Sequence, residues 1–268
     1  MLELEHEFRI VDVHLELEPD GSRGTYGAGN PERLERELHQ SGVVRGLVFP
    51  TRRDGGYLKA NNAVARMSVG RPFVAVARIT GSRAPGNSAG ARLRNITTSR
   101  GDAHTTPDDV EQFAYDDRFA GFRLSPATDG LPDPEVLDAL ASAGLPVFTY
   151  GGEGFPPGTI EEQLLGAGFP VVVSHLGGYP ADADMMNRTI DLLSRYDDCY
   201  LDTSLVRLRE PLERAIREHP DRVLFGSGAP AAHPNVGVME ILTLDVPQDA
   251  MKKVFSKNPA RVVEELAP

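Results

Sequence analysis

A single (β/α)8 barrel is the fold this sequence predicts, and three observations point to it. Short β-branched apolar runs alternate with helix-patterned stretches, the order that builds a parallel sheet from βα units. Eight such runs are present, the number that closes a barrel. Three of them end in polar residues: Ile10-Val11-Asp12-Val13-His14-Leu15-Glu16, Val171-Val172-Val173-Ser174-His175-Leu176-Gly177-Gly178 and Arg222-Val223-Leu224-Phe225-Gly226-Ser227-Gly228-Ala229-Pro230. Buried parallel strands that stop this way deliver side chains to a pocket at their carboxyl ends. A chain of 268 residues, 40% apolar and 25% charged, has the composition for one large core.

In chain order, a strand over 9–16 leads to a helix over 31–40, which Pro31 opens at a position where its missing N–H costs little. Strand 43–50 is followed by helix 61–68, and strand 73–79 by helix 106–115, which Thr106 opens. Strand 121–125 leads to helix 134–143, opened by Pro134, and strand 146–150 to helix 159–165, opened by Thr159. Strand 170–175 leads to helix 183–195 and strand 199–203 to helix 209–218. Strand 222–225 precedes a last helix over 247–265, where Pro259 should force a break near Asn258. No linker or internal repeat divides the chain, so residues 1–268 are expected to form one domain.

Residues 80–105 depart from this rhythm. They are rich in Gly, Ser, Asn and Arg (Arg83, Arg92, Arg94, Arg100) and follow the third strand, so a mobile loop or lid on the pocket face is expected there. Its arginines would meet an anionic substrate or stand in solvent.

The net charge of -11 argues against nucleic-acid or anionic-membrane partners, which require clustered cations. Small-molecule chemistry is expected instead, with a homo-oligomer left open. Cys199, the one cysteine, lies in an apolar run and reads as a small buried hydrophobe. The acidic N-terminus lacks the pattern of a signal peptide and no apolar stretch is long enough to span a bilayer, so a cytoplasmic location is expected. In that setting Asn95-Ile96-Thr97 is a chance match to the glycosylation pattern.

Residues two apart on a strand share a face, so Asp12, His14 and Glu16 are expected to form one polar ladder, either a hydrogen-bond network or part of a metal site. Asp12-Val13-His14 resembles the opening Asp-x-His-x-His strand of the amidohydrolase-2 group of the amidohydrolase superfamily, metal-dependent hydrolases and decarboxylases. Gly144-Leu145-Pro146-Val147-Phe148-Thr149-Tyr150 is similar to the family's fifth strand, and Ser174-His175-Leu176-Gly177-Gly178 to its sixth. Leu201-Asp202-Thr203-Ser204 resembles the seventh, Leu224-Phe225-Gly226-Ser227-Gly228-Ala229-Pro230 the eighth, and Asn258-Pro259-Ala260-Arg261 the closing helix.

The resemblance implies a divalent metal, usually zinc, held by two first-strand histidines, a fifth-strand His and an eighth-strand Asp. Of those positions His14 is kept, while the others carry Glu16, Tyr150 and Gly228. The sixth-strand His, an acid/base or water-orienting group in relatives, is kept as His175.

The expected catalytic set is therefore His175 as general acid/base with His14, Glu16 and Tyr150, and the expected substrate-binding set is Arg78, Arg123, Asp202 and His233. For Arg123 the plainer reading is an ion pair with an interior acid such as Asp202. A metal, if any, would be zinc, iron or manganese on His14, Glu16 and His175, with Asp202 or His233 assisting; a metal-free site is the leading expectation. The function expected is a diverged enzyme acting on a small carboxylated molecule by hydrolysis, decarboxylation or proton transfer. The alternative is a non-catalytic relative that binds a ligand or partner.

Overall fold

The computed structural model describes residues 6–18, 29–51, 56–86 and 103–268. Eight parallel strands follow one another around the sheet in chain order: β1 (Ile10–Leu17), β2 (Val43–Pro50), β3 (Phe73–Ile79), β4 (Phe119–Leu124), β5 (Val147–Gly152), β6 (Val171–Tyr179), β7 (Cys199–Asp202) and β8 (Val223–Leu224). The ring closes just beyond β8. There the Val13 N–H donates to the Phe225 carbonyl at 2.9 Å, the Glu16 N–H donates to the Ala229 carbonyl at 2.8 Å, and Leu15 bridges Ala229. The (β/α)8 barrel expected from the alternating pattern is the fold observed.

Two apolar layers hold it. Inside the barrel Val11, Val13, Leu47, Val76, Phe148 and Val172 pack together, with Val263 and Leu266 of the C-terminal segment added. Outside, strand residues such as Leu15, Val48 and Leu201 meet the apolar stripes of the helices. The helix α1 (Pro31–Gln40) shows how these form. The Asn30 side chain caps it by accepting from the Arg33 N–H, Pro31 occupies its first turn, and Leu34 and Leu38, one turn apart, are buried.

Several boundaries differ from expectation. The helix α2 (Tyr57–Ser68) begins four residues before Asn61, behind Gly56, which offers no capping side chain to mark the start. The C-terminal stretch is broken as Pro259 requires: a helix over Gln248–Lys252, a π turn over Lys253–Lys257 and a new helix over Asn258–Val262, with Pro259 in its first turn. A helix over Pro234–Leu242, between the last expected strand and the last expected helix, carries the same Pro signal at its start. Of segment 80–105, residues 87–102, with Arg92, Arg94, Asn95 and Arg100, lie outside the described residues. The base is tied: the Thr80 N–H donates to Thr105 Oγ1 at 2.9 Å, and Arg83 donates to the Pro132 carbonyl and Gln163.

The single-face ladder Asp12, His14, Glu16 is not what forms. Pairing with β2 shifts register between Asp12 and Leu15, which resets the alternation. Val11 and Val13 both join the interior layer, His14 meets the interior ring of Phe49, and Glu16 reaches the cavity. Asp12 instead spends one oxygen on the backbone N–H groups of His14 (2.9 Å) and Ser227 (3.0 Å), stitching β1 to the segment after β8.

Candidate active site

At the mouth of the barrel His14 from β1, His175 from β6 and Asp202 from the end of β7 come together, although 161 and 27 positions separate them along the chain. Asp202 is fully buried and is the hub. Its Oδ2 accepts from His14 Nδ1 at 3.0 Å, and its Oδ1 accepts from the backbone N–H groups of His175 (3.2 Å) and Ser204 (2.9 Å) and from the Ser204 hydroxyl. Ser204 Oγ also lies 3.0 Å from His14 Nδ1 and 2.9 Å from His175 Nδ1.

His175 Nδ1 sits 2.8 Å from the Ser204 carbonyl, which only accepts. The proton is therefore on Nδ1, and Nε2 carries a lone pair. His175 and Leu176 hold φ angles of 61° and 49°, a left-handed bend that non-glycine residues rarely adopt, so the end of β6 is turned out of strand geometry where the ring is presented. Both imidazoles are buried, 3% exposed, and neither Nε2 is fully sealed from solvent.

Beside the pair lies a cavity of about 580 Å3 walled by Glu16, Phe49, Arg123, Tyr150, Glu153 and Tyr179 among others; the histidines touch its walls rather than line it. The His175 ring packs 5.0 Å from Tyr150, Tyr179 and His14, and the His14 ring stands edge-on to Phe49 at 5.1 Å. The two histidines thus pack behind the aromatic residues that wall the cavity. Arg123 is buried, 3% exposed, with its guanidinium 4.6 Å above the Phe49 ring and Nη1 donating to Ser174 Oγ at 2.8 Å.

Environment divides the titrating groups. Burial, then the neighbouring charge of His14, pushes His175 down to about 3, so it is neutral at ordinary pH. Burial would raise Asp202, but the His14 charge and hydrogen bond, with His175 and Ser204, outweigh it and hold the carboxyl below the usual carboxylate range. Burial and then Tyr179 push the Tyr150 phenol up, so it stays protonated. Burial lifts Asp12 to about 6 against the hydrogen bonds it accepts, and its Oδ2 has no partner.

The family model for amidohydrolases matches residues 11–264. The chain belongs to the amidohydrolase family. Solved structures similar to this amidohydrolase include an uncharacterized TIM-barrel protein from Bordetella bronchiseptica, at 18% identity and a TM-score of 0.70, covering 97% of this chain and 99% of that one. Others are 5-carboxyvanillate decarboxylase from Sphingomonas paucimobilis (16%, 0.61, 96% and 99%) and a probable 2-pyrone-4,6-dicarboxylic acid hydrolase from Acinetobacter baumannii (14%, 0.63, 95% and 99%). At such identities the likeness speaks for the fold. No curated protein matches the chain.

Against the family's metal pattern this amidohydrolase does not fit. Gly228, where the resemblance puts a ligand Asp, has a φ of 75°, and a Cβ there would stand 2.6 Å from the Leu205 side chain. Leu205 occupies the ligand's place. Among the described residues no three His, Cys, Asp or Glu side chains gather to hold a metal ion. The set expected from sequence, His14, Glu16 and His175, is therefore not assembled around one position.

Three of the substrate-binding candidates already have partners within the protein. Arg78 borders the cavity, but its guanidinium is spent on Asp129 (2.7 and 3.2 Å) and on the carbonyls of Pro50 and Thr51. His233 caps the helix Pro234–Leu242 by accepting from the Asn235 N–H at 3.2 Å. Asp202 is sealed beneath the histidines rather than open to ligand, and it makes no ion pair with Arg123. Ser204 and Tyr179 are site residues the sequence reading missed. Ser204 follows Asp202 by two positions, a same-face spacing, and Tyr179 directly follows the Gly177-Gly178 pair, so both had a local signal.

Proposed function

We propose that this protein is an enzyme that binds a small carboxylated ring compound and cleaves it by general acid–base catalysis on its own side chains. The observation that carries the reading is Arg123. It is a buried guanidinium that opens on the cavity and has no carboxylate within ion-pair distance among the described residues. A buried cation without an anion is costly, and a substrate carboxylate is the group that would complete it. The aromatic wall of Phe49, Tyr150 and Tyr179 suits a flat ring. Similar folds named for 5-carboxyvanillate decarboxylation and 2-pyrone-4,6-dicarboxylic acid hydrolysis support the same substrate class.

The role expected for His175 passes to His14. His175 stays neutral and offers a fixed lone pair, suited to orienting a hydroxyl or water. His14, backed by the ionised Asp202, can take up and return a proton, because the imidazolium would form against a paired carboxylate. Tyr150 remains a hydrogen-bond donor.

The test is a panel of aromatic and heteroaromatic carboxylic acids, followed by chromatography and by CO2 release. Turnover should fall about 100- to 10,000-fold in His14→Asn, as for loss of an acid/base group. In Arg123→Gln, KM should rise about 10- to 100-fold, as for loss of a charge-assisted hydrogen bond. Carboxylate binding that Arg123→Gln abolishes, with no turnover anywhere in the panel, would leave a binding protein in place of an enzyme. Carboxylate binding unaffected by Arg123→Gln would remove the reading.

A further inference from the structure

We infer that the ligand of this cavity carries, besides the carboxylate held by Arg123, a protonated nitrogen received by Glu16. The inference rests on the carboxylate reading above and extends it to a second pole. Glu16 comes from β1 and Arg123 from β4, three strands apart around an eight-stranded ring, so they face each other across the mouth. Glu16 is the strongest charge acting in favour of the Arg123 cation, yet the two make no ion pair. The Glu16 carboxylate has no hydrogen bond or ion pair to any described residue. It stands in register with Phe49, whose ring lies under the Arg123 guanidinium.

The charges around the cavity decide what can occupy it. Among the described residues that line it, Arg78 is cancelled by Asp129, which leaves one cation, Arg123, against two carboxylates, Glu16 and Glu153. A ligand with one carboxylate satisfies Arg123 and leaves both acids unanswered. A second ligand carboxylate would add a like charge beside them, whereas an ammonium brings the opposite charge and the donors those acids lack. The partly exposed Tyr179 ring on the same wall adds an aromatic surface, which favours a cation over a second anion. The similar structures named above act, by name, on a carboxyvanillate and a pyrone dicarboxylic acid. The charges here select an amino-carboxylate over a dicarboxylate.

Isothermal titration calorimetry of the full chain with benzoate, 3- and 4-(aminomethyl)benzoate, isophthalate and terephthalate tests this. The better aminomethyl isomer should bind at least tenfold more tightly than the matching dicarboxylate, and Glu16→Gln should cut that ratio at least fivefold. Dicarboxylates binding as well as the amino acids, or a ratio unmoved by Glu16→Gln in a folded variant, would overturn the inference. The wild-type ratio stands as the test alone if the variant does not fold. Benzoate separates the two readings. If it binds through Arg123 while the ratio is flat, only the amino-carboxylate inference falls; if wild type binds none of the five, the carboxylate reading falls with it.

Discussion

His175 and Asp12, two buried groups at the same barrel mouth, work on stability in opposite senses as pH falls. His175 has its folded value pushed down to about 3 from 6.5, so below pH 6.5 the unfolded chain takes a proton that the fold refuses, and stability is lost until about pH 3. Asp12 is raised to about 6 from 3.8, so its contribution is fully present below 3.8 and is lost as pH rises through about 6. Between pH 7 and pH 4.5 each term amounts to about 2 kcal/mol, with opposite sign. His175→Asn should therefore gain about 2 kcal/mol relative to wild type on acidification over that window, and Asp12→Asn should lose about as much. Urea unfolding at the two pH values measures both. Parallel behaviour of the two variants would contradict the burial assigned to these groups.

At the scale of elements, what the sequence made legible is what periodicity encodes. Eight apolar runs separated by capped, proline-opened helices place the strands to within a few residues, because burial on both faces requires continuous apolar character. What escaped is set by long-range contact. The register shift in β1 depends on its pairing with β2, and the left-handed turn at His175 depends on Asp202 receiving its N–H. Glycines distinguish positions the fold constrains from those it leaves free. Gly177, with φ of 75°, has no room, since a Cβ would stand 2.2 Å from Thr189 Oγ1 of the helix Ala183–Leu192. Gly158, in the helix Pro157–Gln163, has nothing within 4 Å. Gly177→Ala should cost about 1–3 kcal/mol by overpacking, and Gly158→Ala should stabilise by about 0.5–1 kcal/mol, read from denaturant midpoints. The reverse order would mean that β6 and its helix are not packed as described.

For the whole molecule, the question is what holds the strand ends together where relatives are expected to use a metal. The sequence showed three altered ligand positions but could not show what replaced them, because Ser204 and Leu205 gain their meaning only when β7 lies between β6 and β8 and the ring closes onto β1. In the fold a carboxylate and a hydroxyl take over: Asp202 ties His14, His175 and Ser204 into one buried network, and Leu205 fills the space above Gly228. Two continuous apolar layers close the barrel beneath it. Stability should then be indifferent to divalent cations. A site with micromolar affinity, at zinc 100 times its dissociation constant, would add about 2.7 kcal/mol to unfolding and raise the melting temperature visibly. We expect no such rise with zinc, iron or manganese and no fall with chelator, while Asp202→Ala should lose about 3–5 kcal/mol by unpairing the buried His14. A melting temperature that climbs with metal and returns with chelator would show that the uncommitted Nε2 edges of the histidines gather a ligand set this arrangement does not display, and would assign the network under Asp202 to supporting it.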